Sequence, residues 1–180
     1  MFLAVLLASL SLHIHPSEID SLLRELDMSI RNRPQYTLKR QEQIDALQRK
    51  LRLSHSDQER YDLYRELFGK YRSYRMDSAL WVANQRVELA KRMKNPLYIR
   101  SAELNIAEVM IGVAMYKEGL EILDGIKSAD LDASGVSYYY YQYHQVYTLM
   151  ADYAFSDQMK EHYRGLAYQY KDSIISMRRP

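Results

Sequence analysis

The sequence predicts an all-α chain: an α-solenoid of antiparallel helix pairs, about eight helices in all. Three observations predict it. From Ser17 onward apolar residues recur at helical spacing, with no β-branched run flanked by turn signals. Only 6 Gly and 4 Pro occur in 180 residues, too few for a β-rich or collagen-like chain. The openings of three second helices, Met76-Asp77-Ser78-Ala79-Leu80, Tyr116-Lys117-Glu118-Gly119-Leu120 and Ser156-Asp157-Gln158-Met159-Lys160, place Ala79, Gly119 and Met159 forty residues apart. A fixed period of helix pairs is the mark of stacked repeats, because one pair cannot bury its own faces without neighbours.

Each element has its own signals. Ser17 caps a first helix through Ile30, with apolar positions Ile19, Leu22, Leu23, Leu26, Met28 and Ile30; Pro34 ends the turn that follows. A second helix runs from about Leu38 to Leu53 on Ile44, Leu47 and Leu51. Ser56-Asp57-Gln58-Glu59 is a capping box that opens the third, through about Tyr71. The fourth covers about Asp77 to Met93, and Pro96 is well placed as the first residue of the fifth, which reaches about Ala114. The sixth spans about Lys117 to Lys127, and a loop continues through Gly135. A seventh covers about Val136 to Tyr153, and Ser156 caps the eighth, from Asp157 to about Ser176. Short connections make consecutive helices antiparallel neighbours.

The fifth helix carries two apolar faces. Leu97, Leu104, Ala107 and Ile111 form one; Ile99, Ala102, Ile106, Val109, Met110 and Val113 form another almost opposite. A helix of this kind is sandwiched between neighbours. Arg100 projects from the first face and must reach solvent or find a carboxylate. Between the faces runs a mostly polar stripe, Tyr98, Ser101, Asn105, Glu108 and Gly112, expected to look into an open concave surface.

Composition removes several function classes. There is no Cys, which excludes a disulfide scaffold, thiolate zinc, iron–sulfur ligation and thiol catalysis. With 25 Lys+Arg against 23 Asp+Glu the formal charge is +2, too weak to argue for nucleic acid or an anionic membrane on electrostatics. The basic clusters Lys39-Arg40 and Arg49-Lys50-Leu51-Arg52 have acidic residues nearby and read as solvated faces. Residues Phe2 to Leu12 form an apolar run of eleven, too short to span a bilayer. It reads as a signal-peptide core with Ser9 and Ser11 before a break at Pro16. Residues 1–16 are therefore taken as a signal-like segment and 17–180 as the helical domain, exported to the periplasmic side of the cytoplasmic membrane. No Lys or Arg precedes the run; the other reading is a buried first helix in a cytoplasmic protein.

Three weak signals of chemistry are set aside. Asp130, Asp132, Ser134 and Gly135 match the first half of a calcium loop, but position twelve is Tyr141 where a bidentate Glu is required. A helix C-cap and loop explains them better. His13 and His15 lie at the processed end, and His144 with His162 lacks the carboxylate spacing of a metal site. Glu103 and Glu108, five apart, lie on different sides of one helix and are not an acid–base pair. Neither a metal, a cofactor nor an enzyme is expected.

What stands out is 17 Tyr beside 1 Trp and 3 Phe, with the densest run at Tyr138-Tyr139-Tyr140-Tyr141-Gln142-Tyr143. On a helix, Tyr139, Tyr143, Val146, Tyr147 and Met150 share one face and read as core. Tyr138, Tyr141, Gln145 and Thr148 fall on another. Shifting the fifth-helix stripe by forty residues gives Tyr138, Tyr141, Gln145, Thr148 and Asp152; shifting it back gives Gln58, Tyr61, Arg65, Phe68 and Arg72.

The segment Ala114 to Leu123 resembles the turn and second helix of a tetratricopeptide repeat, with Ala107 where that repeat keeps a small packing residue; the period is forty rather than thirty-four, and Gly119 stands for the usual Ala. More broadly, residues 17–176 resemble the N-terminal half of a Bacteroidetes family of membrane-anchored, tetratricopeptide-like regulators with an uncharacterised C-terminal domain. The residues that carry this are Glu18 to Leu23 with Leu26-Asp27, Glu59 to Tyr64 with Leu67-Phe68, Tyr71 to Tyr74 with Asp77 to Leu80, Leu104 to Glu108, and Met115 to Leu123. The resemblance implies a signal peptide, an extracytoplasmic repeat region, one membrane helix and a cytoplasmic output segment. This chain ends at Arg178-Arg179-Pro180, so it is expected to be the sensor or interaction half, with membrane attachment only through a missing segment. It further implies a concave surface of Tyr61, Arg65, Arg72, Ser101, Asn105, Glu108, Tyr138, Tyr141 and Gln145 that takes a protein or an extended peptide. Aromatic plates with Arg, Asn and Gln between them also suit a saccharide, so an extracytoplasmic small-ligand receptor domain is the other functional reading, and nucleic acid is not expected. A groove filled by the chain's own helices stays open as the alternative.

Overall fold

The structure, a computed structural model, describes residues 16–177. The apolar run Phe2 to Leu12, His13, His15 and the terminal Arg178-Arg179-Pro180 lie outside the described residues. The chain divides into one unit up to Gln43 and a second from Ile44 onward.

The first unit holds α1 (Pro16–Arg31) and the first half of α2 (Arg33–Leu53). Only Asn32 separates the helices. Asn32 N–H donates to the Met28 carbonyl and Tyr36 N–H to the Asn32 carbonyl, so helical hydrogen bonding carries through the junction. The expected hairpin is therefore absent: reversing a helix needs about 2–8 connecting residues, and Pro34 does not end a turn. It lies in the first turn of α2, where an N–H has no intrahelical partner to lose. The apolar stripe of α1, Ile19, Leu22, Leu23, Leu26, Met28 and Ile30, is exposed along its whole length, as are Tyr36 and Leu38.

The second unit holds the rest of α2, then α3 (Asp57–Tyr71), α4 (Met76–Arg92), α5 (Pro96–Gly112), α6 (Tyr116–Asp124), a 3-10 turn (Ser128–Asp130), α7 (Ala133–Asp152) and α8 (Asp157–Ser176). Among the described residues there are eight α-helices and no strand. Each helix from α3 to α8 packs on the next, and α5 also touches α7. That is the stacking of an α-solenoid. The second helices begin at Met76, Tyr116 and Asp157, close to the forty-residue period.

The helix starts follow from local chemistry. Ser56, Asn95, Asp132 and Ser156 each accept from the backbone N–H three residues on, satisfying a donor that the first turn leaves free. Glu59 reaches back to the His55 N–H, completing a box around Ser56. Helices α4 and α5 both end in a left-handed residue that is not glycine, Lys94 at φ 52° and Ala114 at φ 63°. Each donates back to the penultimate turn, Lys94 to Lys91 and Ala114 to Ile111, and the next residue donates to Ala90 or Met110. This is the Schellman pattern built without its usual glycine.

Helix α5 is sandwiched as its pattern requires. Leu104, Ala107 and Ile111 join Leu123, Ile126, Tyr143 and Val146 in one buried cluster. On the other side, Ala102 packs with Tyr61, Val87, Leu89 and Ala90, and Val109 with Ile44, Leu67 and Val82. Ala107 and Gly119 mark the close crossing of α5 and α6: a Cβ on Gly119 would lie 2.8 Å from Ile111 Cγ1. Arg100 finds carboxylates, Glu103 at 2.8 Å and Asp130 at 3.9 Å.

Candidate functional site

A recess of about 410 Å³ opens between α3, α5 and the start of α7. Helix α3 contributes Tyr61, Arg65 and Phe68 and its C-cap adds Arg72, spaced by three or four so that they share one face. Helix α5 adds Leu97, Tyr98, Ser101, Leu104 and Asn105; the loop before α7 adds Leu131 and Asp132, and α7 adds Gly135 and Tyr138. Arg86 reaches in from α4.

Tyr61 is a buried member of this wall rather than an exposed plate. Its hydroxyl donates to the Tyr98 carbonyl at 2.9 Å, and the two rings stack at 4.5 Å with an 8° interplanar angle. The Arg86 guanidinium also covers the Tyr61 ring, 4.3 Å from its centroid. Burial pushes the Tyr61 phenol above its ordinary value, although the nearby Arg86 charge opposes this.

Arg86 is only 2% exposed. It donates through Nη1 to Asn105 Oδ1, while its Nε has no hydrogen-bond partner. Burial holds the guanidinium below its ordinary value. The other two arginines of the recess have carboxylates: Arg65 lies 3.4 Å from Asp62, and Arg72 lies 3.1 Å from Glu108.

Glu108 does not line the recess but ties its walls together. One oxygen accepts from Arg72 of α3 and the other from the Tyr138 hydroxyl of α7. Burial raises the Tyr138 phenol, and the adjacent Glu108 charge raises it further. Asp132 Oδ1 caps α7, accepting from Gly135 N–H at 2.7 Å and Ser134 Oγ at 2.9 Å. The calcium-like run is thus an N-cap, not the C-cap expected, with Asp130 turned toward Arg100.

The structure brings together Tyr61, Arg65, Arg72, Ser101, Asn105 and Tyr138 around the recess, with Glu108 behind them. Tyr141, 49% exposed, and Gln145 lie outside its lining. The reason is register: α7 begins 37 residues after α5 (133 − 96), so a forty-residue shift lands nearly one turn too far along α7. On the far face of α7, His144 Nδ1 lies 3.0 Å from the Ala167 carbonyl oxygen and His162 rests beside Tyr163. No hydrogen bond joins His144 to Glu108 among the described residues.

Two polar residues were missed by the sequence reading. Arg86 interrupts the buried face Val82, Ala83, Val87 and Ala90 of α4, a signal visible as a lone charge in an apolar stripe. Gln142 is fully buried with both amide atoms unpartnered; it sits one turn before Val146 on the core face of α7.

The fold and this recess define a tetratricopeptide-type helical repeat. The model of one family, the SusR N-terminal TPR domain, matches residues 30–180. The chain belongs to that family. No curated protein and no solved structure matches it. Among the described residues no helix is long and apolar enough to cross a membrane.

Proposed function

We propose that this domain is a non-catalytic sensor or interaction module of a membrane-associated regulator, and that it takes an extended peptide into the recess between α3, α5 and α7. The observation that carries this reading is the composition of the recess: apolar walls from Phe68, Leu97, Leu104 and Leu131, with Arg65, Ser101 and Asn105 presenting polar groups between them. Apolar pockets with a few placed polar groups are the usual form of a ligand site. The apolar run at Phe2 to Leu12 supports export, with the domain on the periplasmic side. A saccharide is the second reading. It is favoured by the tyrosines but weakened at Tyr61, whose ring is already engaged by Tyr98 and Arg86.

The test is calorimetric titration of random-sequence peptide pools and of envelope glycans against the wild type, then against Arg65→Ala and Tyr138→Ala. Peptides that bind the wild type are expected to lose about tenfold in affinity or more in each variant. Unchanged affinity would place the binding surface elsewhere, and glycan binding without peptide binding would favour the second reading.

A further inference from the structure

Helix α1 holds an apolar face in water. Ile19, Leu22, Leu23, Leu26 and Ile30 fall within about 100° of its circumference, and each is between 44% and 60% exposed. A continuous stripe of this kind marks an interaction surface rather than ordinary scatter. Helix α1 cannot cover it by folding back on α2, because Asn32 alone separates the two and helical hydrogen bonding runs through it. Within the stripe, Ile19, Leu23, Leu26 and Ile30 recur at spacings of four, three and four, the seam of a coiled coil. One position further on, Asp20, Arg24, Asp27 and Arg31 repeat that spacing with alternating charge, all of them exposed.

We propose that α1 is covered by α1 of a second copy of this chain, the two helices antiparallel about a two-fold axis level with the Arg24-Glu25 peptide bond. About that axis the seam matches itself: Ile19 meets Ile30 of the second copy and Leu23 meets Leu26, and symmetry makes each contact twice. The flanking charges select the direction. Antiparallel packing sets Asp20 beside Arg31 of the second copy and Arg24 beside Asp27, with pairs offset by about 3 Å along the axis. Parallel packing turns the same flank toward Leu22 and Glu25 of the second copy, which offer the two aspartates no cation. The apolar run Phe2 to Leu12 contains no charge to answer this ladder, and a lipid surface favours Lys and Arg on the polar flank over alternating signs. Two helices of 16 residues, each about 24 Å long, make a small contact, so the dimer forms in a concentration-dependent way.

The experiment is sedimentation velocity of the full chain over a dilution series. A monomer–dimer equilibrium is expected, and Leu23→Lys should weaken it about tenfold or more. Since Leu23 is 53% exposed, helix content by circular dichroism should match the wild type. Arg24→Asp and Asp27→Arg should each weaken association alone, and an equimolar mixture of the two should restore it, because each chain then supplies the charge the other lacks. Direction is read by oxidation in this cysteine-free sequence: Ile19→Cys should cross-link with Ile30→Cys in a mixture, and neither with itself. A wild type that stays monomeric at every dilution would overturn the proposal, as would a dimer indifferent to Leu23→Lys. A mixture no better than its single variants, or cysteines that cross-link only with themselves, would equally overturn the antiparallel pair. A monomer that partitions onto phosphatidylglycerol vesicles, and loses this in Leu23→Lys, would assign the stripe to lipid instead.

Discussion

Tyrosines build both ends of the second unit, but they do different work at each. Between α7 and α8 the rings pack on one another: Tyr143 stacks on Tyr170 at 4.4 Å and 6°, Tyr147 lies between Tyr143 and Tyr163, and Tyr139 meets Tyr143 edge-on. The Tyr143 hydroxyl donates to Asp124 at 2.5 Å, so its phenol is satisfied as well as buried. Between α3 and α5 the stacked pair Tyr61 and Tyr98 sits beside Arg86 and a recess, and one donor there remains unspent. What separates a packing cluster from a candidate site is therefore not the residue type. It is whether the rings border an open recess, as Tyr61 and Tyr98 do.

The contrast breaks most severely at Tyr143. Tyr143→Ala removes a ring that is 3% exposed and should cost about 3 kcal/mol or more in unfolding free energy, read by urea denaturation. A loss below about 1 kcal/mol would show that the α7–α8 stack is not a core. At the other end, Arg86→Met should leave stability within about 1 kcal/mol of wild type. Relief of a buried charge offsets the Asn105 oxygen left without its donor. Peptide affinity should nonetheless fall about tenfold or more; a folded variant that loses several kcal/mol of stability yet binds peptide as the wild type does would reverse the roles assigned to the two ends.

Alkali offers a milder probe. Burial raises the Tyr143 phenol, its hydrogen bond to Asp124 adds to this, and burial likewise raises Tyr138, Tyr147 and Tyr170. A phenol whose folded value lies above its unfolded value of about 10 contributes its full stability below that pH and loses it as pH climbs toward the folded value. Absorbance at the phenolate band should accordingly rise in two stages, the later one from Tyr138, Tyr143, Tyr147 and Tyr170, which ionise only as the fold opens. A single transition would mean that the stack is solvated. The smallest effect is expected at Ala114, away from both ends. Ala114→Gly relieves a left-handed backbone and should raise stability by about 0.5–1 kcal/mol in the same denaturation assay.

Much of the solenoid was legible because it is written in local chemistry. Capping residues at Ser56 and Ser156, Pro96 at the start of α5 and the two-faced pattern of α5 are properties of neighbouring residues. The α1–α2 junction was misread because Pro34 serves equally well after a helix and in the first turn of the next one. At the site, the α3 and α5 faces followed from helical spacing, but the α7 face depended on the length of a connection. Since α6 has only nine residues, α7 starts early and draws Tyr138, rather than Tyr141, to the recess. Arg86 is not reached this way because it comes from a second helix, whereas the forty-residue offset relates the faces of first helices to one another.

The brevity of α6 has a further consequence. With α5 at 17 residues and α6 at nine, about 12 Å of α5 extends past its own partner at the usual rise per residue. The chain covers part of that length with the 3-10 turn, and Leu131 and Asp132 follow as one side of the recess. Connecting segments accept substitution and insertion more readily than the elements they join. If the recess is the ligand site, as proposed, a few loop positions could change what it accepts while the stacked helices remain under separate constraint. Two relatives could share the same scaffold and respond to different signals.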